Sequence, residues 1–131
     1  MNSVRDFFIS RGHSFIHAYH GLSHVLRTQR NAWIHAVFST LVVLLALWLG
    51  LSLRDWAVLF LTIALVWTAE FINTALEAVV DLASPQHHPL AKVGKDVGAA
   101  AVLLASLASI LVGLLLLGPP LLLKLKFLFG K

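Results

Sequence analysis

Residues 56–81 read WAVLFLTIALVWTAEFINTALEAVVD, and this stretch decides the fold. The part before Glu70 carries no charge, whereas the part from Glu70 onward carries three carboxylates, an amide and a hydroxyl. At 100° per residue, the polar side chains of that second part share one side of a helix: Glu70, Asn73, Thr74, Glu77 and Asp81. Carboxylates in a helix of membrane-spanning length are costly, so this stripe is a candidate functional site.

The composition indicates a membrane protein. Of the 131 residues, 59% are hydrophobic and 12% are charged, and the mean hydropathy is +0.86. A soluble domain of this length cannot hide so much apolar surface. The absence of cysteine excludes disulfides and thiolate chemistry, and the scattered Arg and Lys residues argue against nucleic acid as a partner. The net charge of +4 suits anionic lipid headgroups or an anionic substrate.

Three apolar segments are predicted to cross the membrane as helices. About 20 residues, at roughly 1.5 Å per residue, cover the hydrocarbon core of a bilayer, which is about 30 Å thick. The segments are residues 32–51, 56–81 and 90–118. Small residues between Gly98 and Ser109 favour close approach of the third helix to a neighbour. The predicted fold class is therefore all-α and integral to the membrane.

Turn residues and prolines mark the predicted ends of these helices. Asp55 is a candidate N-cap of the second span. Pro85 and Pro89 lie in a polar turn and argue against a continuous helix between the second and third spans. The Pro119–Pro120 pair is predicted to end the third helix, which makes residues 119–131 a separate tail at the membrane interface.

Residues 1–31 are predicted to form an amphipathic helix that lies in the membrane surface or against the other helices. Its apolar face gathers residues at helical spacing: Phe8, Phe15, Tyr19, Leu22 and Leu26. The opposite face carries His13, His17, His20 and His24. Two interpretations of these histidines stay open, namely ligands of a metal ion or a solvated face that is partly charged near neutral pH.

The distribution of Lys and Arg predicts the orientation. With three spans, the N-terminus and the 82–91 turn share one side of the membrane, which carries six basic residues against four on the other side. The positive-inside rule places the richer side in the cytoplasm. Asp81 then lies at the cytoplasmic surface, and Glu70 lies about 16 Å deeper by the rise of the helix. Lys95 and Asp96 open the third span from the same side and are expected to face these carboxylates.

This cluster contains the residue types that phosphoryl transfer requires. Carboxylate and amide oxygens suit Mg²⁺, and a lysine provides a point charge for a phosphate. Glu70, the deepest carboxylate, is positioned to take the proton of a hydroxyl that arrives from the lipid. Neither a GxxxxGK[ST] nor a GxGxxG loop occurs in the chain, so a nucleotide would be held by side chains of the helices.

Other interpretations compete with a kinase. The polar stripe also suits a network that fixes helix packing, a non-enzymatic ion or proton conduit, or a structural subunit of a larger complex. The kinase is favoured over the conduit because residues 56–67 offer no polar path across the rest of the bilayer. The Lys–Asp pair at 95–96 also suits phosphate better than a cation pathway.

Two motifs resemble those of the prokaryotic diacylglycerol kinase family, which includes the undecaprenol kinases. They are EFINTALEAVVD at residues 70–81 and KDVGAAAV at residues 95–102. Weaker similarity extends the resemblance over residues 10–118. It implies a homotrimer in the bacterial inner membrane that transfers the γ-phosphate of ATP to a lipid alcohol, either undecaprenol or diacylglycerol.

The resemblance also implies roles for the residues of the stripe. Glu70 would be the general base, and Glu77 would be a metal ligand. The residues implied to hold the nucleotide and its Mg²⁺ are Asn73, Glu77, Lys95 and Asp96, with Asp81 in support.

Position 29 departs from the family pattern. The family often has Glu there, and the resemblance implies that this Glu is a second metal ligand, whereas this chain has Gln29. A neutral amide is a weaker ligand of Mg²⁺ than a carboxylate. The run QRNAWIH at residues 29–35 looks more like the undecaprenol-kinase branch than the diacylglycerol branch, and the acceptor stays open between the two lipids.

Overall fold

The computed structural model describes residues 4–84, 86 and 88–130, and all regular secondary structure in that part is helical. The four helices are α1 (Val4–Thr28), α2 (Arg30–Leu49), α3 (Leu53–Ala83) and α4 (Pro89–Phe129). α2, α3 and α4 are each long and apolar enough to cross a membrane, which confirms the prediction of three spans. The described residues leave out residues 1–3, Lys131, and two residues of the predicted polar turn, Pro85 and His87.

A single residue separates α1 from α2. Gln29 adopts an extended conformation, with φ −100° and ψ 116°, between the end of α1 at Thr28 and the start of α2 at Arg30. Near this junction Val25 is buried, and α1 packs against α2. The apolar residues Phe15 and Tyr19 remain 77% and 68% exposed. The described part of the chain therefore leaves these two residues of the apolar face of α1 uncovered.

The turn between α2 and α3 corrects one predicted cap. Gly50 ends α2 in the left-handed conformation, with φ 73°, and its N–H donates to the carbonyl oxygens of Ala46 and Leu47. The N-cap of α3 is Ser52, whose Oγ accepts from the N–H of Asp55 at 3.2 Å. The prediction of Asp55 as the N-cap is wrong because the helix begins two residues before it, at Leu53.

α4 begins in the polar turn that was predicted to separate the second and third spans. Pro89 is its first residue, and proline fits there because the first N–H of a helix has no intrahelical acceptor. The side chain of His88 caps the helix by accepting a hydrogen bond from the N–H of Leu90 at 3.2 Å. The prediction that no continuous helix joins the second and third spans is thus confirmed, although Pro89 begins α4 and Pro85 lies outside the described residues.

α3 and α4 form the most extensive helix pair, and small residues of α4 lie at their contact. Gly98 and Ala105 are buried, as the small-residue pattern predicts. A Cβ atom added at Gly98 would collide with Oδ1 of Asn73 and would lie 3.1 Å from Cδ2 of Leu76. The missing side chain of Gly98 therefore lets α4 approach the polar stripe of α3.

The end of α4 contradicts the sequence-based prediction. The Pro119–Pro120 pair lies inside the helix, which continues to Phe129. The pair removes only two N–H donors, and such losses are tolerated in apolar helices whose neighbours restrain the segment. Here Lys124 provides a restraint, because its Nζ donates to the carbonyl oxygen of Trp48 and lies 4.5 Å from the centroid of the Trp48 ring.

Replacement of Gly98 by Ala is expected to destabilise the protein. The new methyl group would push the buried amide of Asn73 away, and overpacking of this kind costs about 1–3 kcal/mol. Gly94→Ala is the matched control, because its Cβ would meet only Cγ2 of Val80 at 3.7 Å, an ordinary contact. Thermal unfolding in detergent should show a lower midpoint for Gly98→Ala and no decrease for Gly94→Ala. Equal midpoints would contradict the close approach.

Candidate active site

The deeper part of the polar stripe of α3 faces the interior of the chain, whereas Asp81 at its end is exposed. In the part of the chain that the structure describes, the buried polar side chains all belong to this stripe: Glu70 (1% exposed), Asn73 (8%) and Thr74 (5%). The hydroxyl of Thr74 donates to the carbonyl oxygen of Glu70 at 2.9 Å, one turn earlier in the helix. The helical periodicity that grouped these residues is therefore confirmed.

Glu77 is held by two amides that come from different parts of the chain. Nδ2 of Asn73 donates to its Oε1 at 3.1 Å, and Nε2 of Gln29 donates to its Oε2 at 3.3 Å. Hydrogen bonds to a charged acceptor are stronger than those between neutral groups. Because Gln29 interrupts the helices at the α1–α2 junction, its side chain fastens that junction to α3.

Glu70 lies beside a histidine of α2. Nε2 of His35 is 3.8 Å from Oε2 of Glu70, and both atoms are buried without a hydrogen-bond partner among the described residues. The imidazole packs edge-on against Trp67, with ring centroids 6.4 Å apart. His35 was included in the first predicted span, residues 32–51, and was given no role in the site. A lone ionisable residue at the edge of an apolar segment was the available signal.

A cavity of about 280 Å³ joins these groups. Its polar side is formed by Gln29, His35, Glu70, Asn73 and Glu77. Ile34 of α2 and Val102 and Leu103 of α4 contribute its apolar wall. Oδ1 of Asn73 is buried without a partner among the described residues, so it is one further acceptor available at the cavity. The arrangement combines a dry carboxylate, a second carboxylate held by amides, and an apolar wall.

Lys95 lies in a second cavity, which is larger, about 730 Å³, and is located where α3 ends and α4 begins. Its Nζ is 2.5 Å from Oδ1 of Asp81. Asp81 is exposed, and an ion pair in that setting contributes at most about 1 kcal/mol. Lys92 and His88 also line this cavity. It therefore gathers positive charge beside one exposed carboxylate.

The structure thus divides the predicted cluster. Lys95 meets Asp81 and not Glu77, and Asp96 is exposed and lines neither cavity. Lys95 thus faces one carboxylate of the stripe, Asp81, as expected, whereas the expectation for Asp96 is not met because Asp96 is exposed. The reason is geometric, because neighbouring residues of a helix point about 100° apart and only one of them can face α3.

The family of prokaryotic diacylglycerol kinases matches residues 16–117, which include every residue of both cavities. The chain belongs to this family. It is therefore a membrane lipid kinase, that is, a phosphotransferase. Family membership favours this activity over an ion or proton conduit or a purely structural subunit.

The lipid kinase is also similar to individual proteins over most of its length. It is 38% identical to the undecaprenol kinase of Bacillus subtilis over 120 residues, which is 92% of this chain and 94% of that protein. It is 49% identical to a diacylglycerol kinase of Synechocystis over 110 residues, which is 83% of this chain and 63% of that longer protein. It is 35% identical to the diacylglycerol kinase of Escherichia coli K12 over 95 residues, 67% of this chain and 78% of that protein.

The oxygen atoms of Glu77 and Asn73 are suitable ligands for a magnesium ion that also binds phosphates. Within the described ranges, no three His, Asp or Glu side chains are grouped closely enough to hold a metal by themselves. Mg²⁺ usually needs only one or two carboxylates, because waters and substrate phosphates fill its other positions. The kinase offers the carboxylate of Glu77 beside the unpartnered Oδ1 of Asn73.

Gln29→Glu is expected to make the lipid kinase less stable without Mg²⁺ and more responsive to it. The change removes a hydrogen bond to Glu77 and adds a second negative charge, at a cost of about 1.5–3 kcal/mol. Mg²⁺ bound between two carboxylates would restore that loss. Thermal midpoints of both proteins, measured with and without Mg²⁺, check this expectation. If Mg²⁺ raises both midpoints equally, position 29 does not contact the metal.

Proposed function

We propose that this lipid kinase transfers the γ-phosphate of ATP to the hydroxyl of a lipid alcohol, with Glu70 as the general base. The observation that carries the proposal is the burial of Glu70 at a cavity that also contains Glu77 and has an apolar wall. A carboxylate kept 1% exposed inside a membrane-spanning helix is costly unless it has a task. The apolar wall gives the acceptor lipid a route to that carboxylate.

We assign ATP to the more exposed region where α3 ends and α4 begins. Glu77, Asn73 and Gln29 would hold Mg²⁺, which when bound bridges the phosphates of ATP and offsets their charge. Lys95 would bind a phosphate in exchange for Asp81, at low cost because that ion pair is exposed. Asp96 would contact the nucleotide, and its exposure is compatible with that role.

We assign undecaprenol as the acceptor, in preference to diacylglycerol. The support is the Bacillus subtilis undecaprenol kinase, whose match covers 94% of that protein. A second support is the wall of the cavity, where Ile34, Val102 and Leu103 are apolar and the hydroxyl of Ser106 already donates to the carbonyl oxygen of Val102. The ester groups of diacylglycerol would lose hydrogen bonds to water beside such a wall, whereas undecaprenol carries only hydrocarbon next to its hydroxyl.

The proposed setting is the bacterial inner membrane, with the N-terminus in the cytoplasm. Residues 1–31 would lie on the membrane surface and bury exposed apolar side chains such as Phe15 in lipid. Residues 32–118 would form the kinase core, and residues 119–131 would lie at the opposite interface. Only 11–28% of the most apolar window of each span is buried within the chain. This exposed surface supports a homotrimer in which other subunits and lipid cover the spans.

Glu70→Gln and Glu77→Gln are expected to fail in different ways. Loss of the base in Glu70→Gln should lower kcat by about 10²–10⁴-fold and leave the affinity for Mg²⁺–ATP intact. Glu77→Gln should weaken Mg²⁺–ATP binding, because it removes the carboxylate ligand. Initial-rate kinetics and nucleotide-binding titrations separate the two effects. Asp55→Asn, at the far end of α3, is the control and should behave like the unmodified protein.

The choice of acceptor can be measured directly. Protein in detergent micelles, supplied with labelled ATP and Mg²⁺, should phosphorylate undecaprenol faster than diacylglycerol. Faster transfer to diacylglycerol would reverse the assignment of the acceptor. Transfer to neither lipid would contradict the proposed reaction as a whole.

A further inference from the structure

We propose that His35 binds the oxygen of the acceptor alcohol, so that His35 and Glu70 together hold the hydroxyl that reacts. The inference rests on the proposed role of Glu70 as general base. It adds a second catalytic residue, on a different helix, that contacts the same hydroxyl from the other side.

Two buried polar atoms lie close to each other at the cavity without bonding. Nε2 of His35 and Oε2 of Glu70 are 3.8 Å apart, which is too long for a direct hydrogen bond. Each is without a hydrogen-bond partner in the described part of the chain. Buried polar atoms in folded proteins are nearly always hydrogen-bonded, so this pair requires an explanation.

A hydroxyl group matches the gap in both length and polarity. An oxygen atom can lie about 2.8 Å from both atoms at once when they are 3.8 Å apart, and about 2.8 Å is the usual length of a hydroxyl hydrogen bond. A hydroxyl donates one hydrogen bond and accepts two, whereas a carboxylate only accepts. Neutral imidazole with its proton on Nε2 donates to the hydroxyl oxygen. A phosphate oxygen does not fit, because it would bring a second negative charge to Glu70.

The surroundings fix this position. The imidazole of His35 packs edge-on against Trp67, and Nε1 of Trp67 donates to Oγ of Ser39 at 3.3 Å. The hydrocarbon next to the hydroxyl would meet Ile34 and Leu103 on the apolar wall of the same cavity. The site therefore accommodates an alcohol at the end of an apolar chain.

In the proposed step, one P–O bond forms as another breaks. The acceptor oxygen forms a bond to the γ-phosphorus of ATP, and the bond from that phosphorus to the bridging oxygen of ADP breaks. The O–H bond of the acceptor breaks, and its proton passes to Oε2 of Glu70. His35 keeps its Nε2 proton throughout and aligns a lone pair of the acceptor oxygen toward phosphorus.

His35→Phe tests the inference because it retains a ring against Trp67 and removes the donor. We expect kcat/KM for the lipid alcohol to fall about tenfold or more, the effect of one lost hydrogen bond, while KM for ATP changes less than about twofold. The variants His35→Gln and His35→Met have side chains of similar length, but only His35→Gln retains an N–H donor. His35→Gln should therefore be several-fold more active toward the lipid than His35→Met, and this pair carries the test if His35→Phe does not fold.

Thr40→Ala is the control for a substitution on α2, because the Thr40 side chain is exposed and its hydroxyl donates to the carbonyl oxygen of Ala36 in the same helix. It should retain the kcat/KM of the unmodified protein for the lipid. Equal lipid kinetics for His35→Phe and the unmodified protein would overturn the inference, as would a parallel rise in KM for ATP. If Glu70→Gln is inactive but His35→Phe is unimpaired, only the role of His35 fails. If Glu70→Gln is fully active, the proposed base fails as well.

Discussion

The hydrogen bonds that Gln29 and Asn73 donate to the carboxylate of Glu77 are the interaction on which the rest of the structure depends. A carboxylate inside a membrane-spanning helix is tolerated only when other groups of the protein satisfy it. Asn73 does so from the same helix. Gln29 does so from the junction between α1 and α2, and it can reach Glu77 because its own backbone is extended. This side-chain contact thus joins the α1–α2 junction to α3, against which α2 packs.

The close approach of α4 completes this arrangement. Gly98 lies against Asn73, so the absence of a side chain on α4 determines how near the third span comes to the polar stripe. The same glycine sets the rotation of α4 about its axis. With Gly98 toward α3, Lys95 one turn earlier meets Asp81, and Asp96 points away. Packing and the position of the basic residue are therefore consequences of one constraint.

The sequence was sufficient for features that depend on periodicity along one helix. The stripe on α3 and the three spans follow from the spacing of polar and apolar residues, and burial of Glu70 and Asn73 confirms the inward direction of the stripe. Features that depend on the relation between helices followed only in part. The small residues of α4 indicated its contact face, but the partner of Lys95 depends on which residue of α3 lies opposite, and the sequence of α4 does not specify that. His35 was missed because a lone histidine has no periodicity, although the cost argument applied to Glu70 applies to it as well.

The continuation of α4 past Pro119–Pro120 was also missed because it depends on a contact with another helix. Proline opposes a helix through local effects, but contacts with another helix can outweigh them. The contact of Lys124 with the end of α2 is such a restraint, and it joins residues 76 positions apart in the sequence. Only the tertiary structure could reveal it.

The two cavities along α3 suit the two halves of a phosphoryl transfer for electrostatic reasons. Glu70 is buried and Glu77 is partly buried and held by two amides, and charges fixed in such surroundings act strongly on a reacting group and do not need to reorganise. Lys95 and Asp81 form an exposed pair that can exchange one partner for a phosphate at little cost. In the proposed reaction, a polar nucleotide would bind at the exposed end of α3, and the lipid hydroxyl would meet Glu70 about 16 Å deeper by helix rise. Glu77 lies between Glu70 and Asp81 along α3, where in the proposed reaction it would help to hold the phosphates of the donor next to the acceptor hydroxyl.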